Sequence, residues 1–221
     1  MKRASRPGTS VPRCRSRSGS LGSPKWHANR DAPLGLRDAL FGKKKLSEPK
    51  DDRLFALTTA AVTLQVELGL KCAGAAAITF KPQSSGEFRS AFDDVDKLLD
   101  AVAQQSGSTV ERKSDDYGYD WIVVHDPQLE DLVGTAHTLA SELTAQGFGE
   151  QLLAAIFKFD GGANPVYWIY GFKRGSFWPF VPSGKDQRDN ATELELKAKL
   201  EHELPIEPDL TRWLALFDAP L

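Results

Sequence analysis

The sequence predicts an α+β fold, with elements in the order α-β-α-ββ-α-ββ-α and helices on one face of an antiparallel or mixed sheet. Two observations predict it. Segments with apolar residues every three or four positions alternate with short runs rich in β-branched and aromatic residues. A helix followed by a hairpin also occurs twice, over residues 86–126 and 128–173, and hairpins join antiparallel strands.

The chain divides into three parts. Residues 1–33 are rich in Arg, Ser, Gly and Pro without a hydrophobic period, which predicts a disordered basic tail or upstream sequence included by a mis-assigned start. Residues 34–50 are expected to form a short amphipathic helix and a polar linker. Residues 51–221 are expected to form a single α+β domain, since the apolar periodicity runs through them without a break.

The segment "LGLRDALFGKKK" (residues 34–45) has apolar residues on one helical stripe and a basic cluster just beyond it. Such a helix can contact an anionic membrane surface or a partner helix, or it can pack on the body of the protein. The residues that would make this contact are Leu36, Leu40, Phe41, Lys43, Lys44 and Lys45.

The elements of the domain follow in order. Helical spacing predicts helices over residues 52–68, 87–106 and 129–146, each ended by a glycine: Gly69, Gly107 and Gly147. "AAAITF" (residues 75–80) predicts a strand, and two more strands flank a turn at Tyr117-Gly118. The turn "DGGANP" separates the next two strands.

The C-terminal part is expected to close the fold. A helix is predicted from Asn190 as its N-cap, with Glu193 at the capping-box spacing. The tail that follows carries Trp213, Leu216 and Phe217, which we expect to hold it against the body as an apolar clasp.

Charge and motifs exclude several classes of function. Residues 1–30 carry eight Lys/Arg and no acidic residue, whereas the remainder has 20 Lys/Arg against 30 Asp/Glu. An acidic body argues against nucleic-acid binding, because neutralisation of phosphates supplies most of that affinity. No nucleotide-binding, metal-binding or hydrolase motif is present, so no cofactor and no catalytic residue is predicted.

The stretch "YWIYGFKRGSFWPF" (residues 167–180) holds seven aromatic residues. Its first half alternates apolar side chains on both faces, which predicts a buried strand that ends near Phe172. Gly and Pro then indicate a loop or edge segment, whose aromatic side chains either tuck under it or form an exposed patch within a basic rim. The candidate interaction residues of this loop are Lys173, Arg174, Phe177, Trp178, Phe180 and Arg188.

Several stretches, taken together and in order, resemble the PspAB family, the PspA-associated proteins of actinobacteria. They are "LGLRDALFG", "LFALTTAAVTLQVELG", "DDYGYDWIVV", "AQGFG", "GSFWPFVP", "RDNATELEL" and "LPIEPDLTRW". The resemblance runs from about Leu34 to the C-terminus. Family members typically begin at the segment that matches residues 34–42, which favours the mis-assigned start for the 33 extra residues here.

The resemblance implies association with a phage-shock-type envelope-stress system. Its central member, PspA, is a coiled-coil protein that binds membranes, and family genes tend to lie beside an HtpX-like membrane metalloprotease. The family has no established catalytic residues to transfer. The matched motif positions, taken as structural or interaction residues, are Tyr117, Gly118, Tyr119, Trp121, Gly147, Phe148, Gly175, Phe177, Pro179, Phe180, Asp189, Asn190, Pro208, Asp209 and Trp213.

These observations predict a non-enzymatic, cytoplasmic protein-binding module of the envelope-stress response. Its partner would be a PspA-like or HtpX-like protein, with peripheral contact to the inner face of the membrane. One alternative is a secretion-chaperone-like module with an open apolar groove and a homodimeric state. Another is a small-ligand binder or enzyme that uses the 173–190 loop, in which Asp115, Asp116, Lys173 or Arg188 would converge in a deep pocket.

Overall fold

The computed structural model describes residues 51–221, apart from the side chains at 51, 102, 105 and 106. The helices are α1 (Ala56–Val66), α2 (Gly86–Ser106), α3 (Leu129–Ala145) and α4 (Asn190–Leu200). The strands are β1 (Lys71–Phe80), β2 (Thr109–Ser114), β3 (Asp120–His125), β4 (Leu152–Asp160), β5 (Val166–Gly171), β6 (Ser176–Phe180), β7 (Pro182–Gly184) and β8 (Gln187–Arg188). Short 3-10 helices span Asp51–Phe55, Gly149–Gln151 and Leu210–Arg212. The expected α+β class is confirmed. The N-terminal segment with Leu36, Leu40, Phe41 and Lys43–Lys45 lies outside the described residues.

Six strands form one antiparallel sheet in the order β2-β3-β1-β4-β5-β6. Strands β2 and β3, β4 and β5, and β5 and β6 are each joined by a tight connection. Strand β1 lies between β3 and β4, where it forms the centre of the sheet. Strands β7 and β8 form a separate small hairpin.

Both faces of the sheet are covered. The four helices bury one face, where Ile78, Phe157 and Trp168 belong to the main core. The C-terminal tail covers the other face, on which Ile156 and Ile169 pack in a second apolar cluster with Trp213. The alternation in β5 had predicted burial on both sides, and the clasp predicted for the tail is present.

Local capping explains where two helices begin and end. Helix α2 starts after Ser85, whose Oγ accepts a hydrogen bond from the Phe88 N–H at 3.2 Å, and Gly107 ends it at φ 78°. The N-cap of α4 is Asp189 rather than Asn190, because the Asp189 carboxylate accepts from the Thr192 N–H at 3.1 Å. The predicted N-cap, Asn190, was therefore wrong by one position. Asp and Asn are both good N-caps, so residue type alone does not distinguish them.

The segment after Lys173 is not an outward-facing loop. It turns at Gly175, which has φ 65°, and residues 176–180 form strand β6 with all five residues buried. Phe177 packs on the helix side of the sheet, whereas Trp178 and Phe180 pack on the tail side. The prediction that these three rings are exposed anchors was therefore wrong.

The proline in β6 is tolerated because the strand lies at the sheet edge. Phe177 turns its N–H and C=O away from β5, toward Pro205 O and Glu207 N, each at 2.8 Å. Pro179 lies two residues further along, so its nitrogen also faces away from the β5 ladder and no ladder bond is lost. Residues 205–207 cover part of this edge.

Candidate functional site

A row of small residues crosses the tail-covered face of the sheet at one end. Thr79 of β1 pairs with Ala154 of β4, and Ala154 pairs with Gly171 of β5. Trp121 of β3 pairs with Thr79 on the other side. Because three adjacent strands contribute side chains no larger than threonine, the sheet surface is depressed between larger neighbours.

Two tryptophan rings form the walls of this depression. The Trp121 indole N–H donates to Asp115 Oδ2 at 2.9 Å, and the Trp178 indole N–H donates to the Leu214 carbonyl at 3.0 Å. The Trp178 ring lies over Gly171, where a Cβ atom would come within 3.0 Å of Trp178 Cζ3. Glycine at position 171 therefore lets this ring approach closely, and any side chain there would push the ring away by a few tenths of an ångström.

The depression and the tail enclose a cavity of about 510 Å³. Its floor is the small-residue row, and the tail contributes Leu214, Ala215, Leu216 and Phe217. We call this cavity and its rim the sheet–tail groove. The lining is mainly apolar, so the groove suits an apolar group that is taken out of water.

The rim combines exposed apolar side chains with cations. Tyr117 at the tip of the β2–β3 hairpin is 74% exposed, and Leu214 is 62% exposed. Lys173 and Arg174, from the β5–β6 turn, lie at the other side. Arg174 Nε is 3.6 Å from Glu207 Oε2, whereas Lys173 has no ion pair within residues 51–221.

Asp115 holds the hairpin side of the rim in shape. Its carboxylate accepts hydrogen bonds at 2.9 Å from the backbone N–H groups of Tyr117 and Tyr119, in addition to the Trp121 indole. Gly118 takes the positive φ, 81°, that the turn requires. Burial alone would raise the pKa of the Asp115 carboxyl, but the N–H donors outweigh it and hold this pKa below its ordinary value.

The lowered pKa of Asp115 predicts an acid-sensitive hairpin. A carboxyl whose pKa is lower in the folded state stabilises the protein above its unfolded pKa, about 3.9, and the stabilisation is lost as pH falls through the folded pKa. Asp115→Asn should lower the free energy of unfolding at pH 7 by about 1 kcal/mol, because the N–H donors lose a charged acceptor. Urea unfolding at pH 7 and pH 3 measures both effects.

The neighbouring variant Asp116→Asn is the matched control, since Asp116 is exposed. The Asp115→Asn protein should lose less stability on acidification than the parent, whereas Asp116→Asn should behave like the parent. Equal behaviour of the two variants would contradict the role given to Asp115.

Only some of the charged residues predicted to form a site line the sheet–tail groove. Lys173 and Arg174 reach the groove, and Asp115 joins them, but Asp116 and Arg188 do not line it. Arg188 points inward, where its guanidinium pairs with Glu193 at 2.8 Å and donates to the Trp213 carbonyl at 2.8 Å. Its prediction as a surface cation was wrong, because a buried carboxylate on α4 holds it inside.

The motif positions mostly have structural roles in the described residues. Gly147 and Gly175 have positive φ angles of 86° and 65°. Asp209 caps the last 3-10 helix through a hydrogen bond from the Thr211 N–H at 3.1 Å. Trp213 is buried and donates its indole N–H to the Glu207 carbonyl at 2.9 Å.

Comparison with protein families decides the classification. A family model described as PspAB, PspA associated protein B, matches residues 34–221. The chain belongs to the PspAB family. Searches of curated proteins and of solved structures found no match.

The PspAB stretches "DDYGYDW" and "GSFWPF" lie far apart in the sequence but meet at the sheet–tail groove. The first contributes Asp115, Tyr117, Tyr119 and Trp121, and the second contributes Trp178. The floor of the groove and the tail residue Leu214 were missed in the sequence. Thr79, Ala154 and Gly171 become neighbours only through strand register, and Leu214 reaches them only because the tail folds back.

Within residues 51–221, no helix is long and apolar enough to cross a bilayer. Over the same range, no group of three or more His, Cys, Asp or Glu side chains is placed to hold a metal ion.

Proposed function

We propose that this PspAB chain is a non-enzymatic binding module that holds an acidic amphipathic helix of a PspA-type partner in the sheet–tail groove. One observation carries the proposal: two stretches that resemble the family converge on an apolar groove with exposed apolar and basic groups at its rim. The family description, PspA associated protein B, supports PspA as the partner.

The groove suits the apolar side chains of a helix rather than the whole helix. Its walls are Trp121 of β3 and Trp178 of β6, and the Trp178 ring reaches inward over Gly171 of β5. The open floor is formed by Thr79 and Ala154, and the cavity of about 510 Å³ is large enough for side chains inserted from one face of a helix. A helix that lies over the groove would place apolar residues on the floor and acidic residues beside Lys173 and Arg174.

The state of the polar groups favours binding over catalysis. Two carboxylates line the groove: Asp115 is already committed to three N–H donors that shape the hairpin, and Asp218 is exposed on the tail. A general base needs a free oxygen within reach of the proton that it removes. The cations at the rim are exposed, where they can pair with acidic side chains of a partner.

The resemblance extends the proposal to the setting. PspA-type coiled coils bind membranes, so we propose that the chain acts in the cytoplasm, close to the inner face of the membrane. The HtpX-like protease is the other partner that the resemblance implies. The contact of Lys43–Lys45 with the lipid surface stays a prediction.

A small amphipathic molecule is a second candidate occupant of the same groove. The cavity volume of about 510 Å³ lies within the range of ligand pockets, about 300–1,000 Å³. On its floor, the buried Thr79 hydroxyl has no hydrogen-bond partner in the part of the chain that the structure describes. A ligand with a polar atom near Thr79 would supply one.

The proposal is tested by titration of the full chain with purified PspA-type and HtpX-like proteins of the source organism. Lys173→Glu should weaken binding of the PspA-type protein at least tenfold, because it reverses the charge that faces an acidic helix. Leu214→Asp should do the same, because it places a charge at the apolar rim. Isothermal titration calorimetry gives both affinities.

The matched controls are Lys185→Glu and Leu194→Asp, which change an exposed lysine and an exposed leucine away from the groove. Both should bind like the parent. If all four variants bind the PspA-type protein equally, the groove is not its site. Binding of the HtpX-like protein alone would assign the groove to that partner instead.

A further inference from the structure

A second recess also has the β5–β6 turn in its wall. It has a volume of about 400 Å³ and a mainly polar lining. Lys173 and Arg174 line both this recess and the sheet–tail groove, whereas Arg53 and Arg212 line only this recess. We call it the arginine recess. Its charged and hydroxyl-bearing lining residues are Arg53, Lys173, Arg174, Ser176, Glu207 and Arg212.

Cations are concentrated in the arginine recess. Residues 51–221 contain 15 Lys/Arg against 27 Asp/Glu, so this part of the chain is strongly acidic. Four of those 15 cations nevertheless line one recess. They come from three separate places, the 3-10 helix Asp51–Phe55, the β5–β6 turn and the 3-10 helix Leu210–Arg212. A recess of one sign of charge attracts ligands of the opposite sign, so this cluster indicates an anionic ligand.

Backbone contacts hold the parts of the recess together. Residues 205–207 are fixed to the edge of β6 by the two hydrogen bonds of Phe177, each 2.8 Å long. The Trp213 indole N–H donates to the Glu207 carbonyl at 2.9 Å, beside Arg212. Arg53 Nη1 donates to the Gly175 carbonyl at 3.2 Å, which ties the first 3-10 helix to the turn. The cations are therefore positioned before any ligand binds.

A buried carboxylate draws two of the arginines together. The Glu207 side chain is 5% exposed, and it accepts hydrogen bonds from Ser176 Oγ at 3.3 Å and from the Asp209 N–H at 3.2 Å. Arg174 Nε and Arg212 Nη1 lie 3.6 and 3.9 Å from the Glu207 carboxylate oxygens. Both distances exceed the usual hydrogen-bond range. Glu207 therefore attracts the two guanidinium groups without occupying their N–H donors.

Most guanidinium donors of the recess are unused within residues 51–221. Arg174 makes no hydrogen bond in this range, and Arg53 makes one, to a backbone carbonyl. Arg212 directs its Nε toward Asp209 Oδ2 at 2.9 Å, which leaves its terminal nitrogens. A guanidinium carries five N–H donors in a planar fork that matches the oxygens of phosphate. Lys173 adds a further positive charge.

We propose that the arginine recess binds a phosphate monoester group. Four cations against the carboxylates of Glu207 and Asp209 leave a local charge of +2. A phosphate monoester carries about −1.5 to −2 at pH 7, which matches this charge, whereas a carboxylate would neutralise only half of it. The side chains of Arg174 and Arg212 are 46% and 49% exposed, so the group that bears the phosphate extends into solvent.

Titration of the full chain with inorganic phosphate, at an ionic strength held constant with sodium chloride, tests the recess. Proton–nitrogen correlation NMR reports on each arginine Nε–H group. We expect saturable shifts in the signals of Arg53, Arg174 and Arg212. Arg89 on α2, which is exposed and donates to a backbone carbonyl, should not shift. Absence of saturable shifts at the three recess arginines would overturn the proposal.

A double variant measures the contribution of the recess. Arg53→Gln combined with Arg212→Gln should weaken phosphate binding by roughly tenfold or more, because two charged donors are lost. The matched control is Arg89→Gln combined with Lys97→Gln, which removes the same charge. Arg89 also donates to a backbone carbonyl, and Lys97 also pairs with an acid three residues away, Asp94. The control should bind like the parent, and equal affinity of the two double variants would overturn the proposal.

Vesicles identify the source of the phosphate. Both double variants are sedimented with phosphatidylcholine vesicles that contain phosphatidic acid, a phosphate monoester lipid. Weaker sedimentation of the recess variant alone would assign the site to a lipid head group. Equal sedimentation, with the difference in inorganic phosphate binding retained, would assign it to a soluble phosphate ester. Since the two variants have the same net charge, basic residues elsewhere in the chain affect both equally.

This inference goes beyond the proposed function and fails separately from it. Arg53 and Arg212 do not line the sheet–tail groove, so their double variant should bind the PspA-type protein like the parent. Leu214→Asp, which changes the groove, should bind inorganic phosphate like the parent. Loss of phosphate binding in Leu214→Asp would place the anion in the groove and overturn the proposal.

Discussion

Replacement of Phe177 by alanine should lower the free energy of unfolding by about 3–5 kcal/mol, the range for a large aromatic side chain removed from a core. The side chain is fully buried, and its ring lies 4.7 Å from that of Tyr170, measured between centroids. Both rings belong to the main core on the helix side of the sheet. Urea unfolding followed by tryptophan fluorescence gives the change from the shift in midpoint.

The matched control is Leu194→Ala, at an exposed apolar position on α4. It should change the free energy of unfolding by no more than about 0.5 kcal/mol. A loss below about 1 kcal/mol in Phe177→Ala, with cooperative unfolding retained, would show that Phe177 is a surface residue. In that case, Phe177 would belong to an exposed aromatic segment and not to the core.

Glu193→Ala should be nearly as damaging, with a loss of about 3 kcal/mol. The Glu193 carboxylate is almost fully buried, where it accepts from the Val181 N–H at 2.9 Å and pairs with Arg188. Its removal leaves the Arg188 guanidinium without its counter-charge and the buried Val181 N–H without an acceptor. Breaking a buried pair costs about 3–5 kcal/mol, and the lower end applies because the Arg188 side chain is 22% exposed.

The same helix provides the control for this change. Glu195 forms an exposed pair with Lys199 at 3.2 Å, four residues apart. Glu195→Ala should therefore cost only about 0.3–0.5 kcal/mol. Thermal or urea unfolding of the two variants, measured side by side, decides: similar losses would mean that the Arg188–Glu193 pair does not join α4 to the strands and the tail.

The spacing of apolar residues and glycines correctly predicted those elements whose structure depends mainly on residues nearby in the sequence. The alternation in β5 correctly predicted a strand buried on both faces, because period two assigns side chains to opposite sides of a sheet. Gly107 ends α2 with a positive φ, as its position after an amphipathic run indicated. Trp213 in the tail is buried, in agreement with the expected clasp.

The errors occur where sequence neighbours do not decide the outcome. Gly175 and Pro179 predict a loop, but glycine allows the tight turn into β6 and the sheet edge tolerates proline. At α4, Asp189 and Asn190 compete for the cap, and only the observed hydrogen bond to Thr192 distinguishes them.

The groove itself could be predicted only in part. The aromatic stretch predicts Lys173 and Trp178 as site residues, but their positions in the groove depend on contacts with residues that are distant in the sequence. The floor needs the register between β1 and β4, and that pairing contains shifts on either side of residues 76–79. The rim needs the position of Leu214, which is set by the fold of the tail over the sheet.

Hydrogen exchange of the full chain, with and without a purified PspA-type protein, tests the central claim most directly. If the partner helix binds the sheet–tail groove, the peptides that cover residues 115–121, 171–178 and 213–219 should exchange more slowly in the complex, while α4 is unchanged. If those three stretches keep their exchange rates in a saturated complex while other stretches exchange more slowly, the groove is not the docking site.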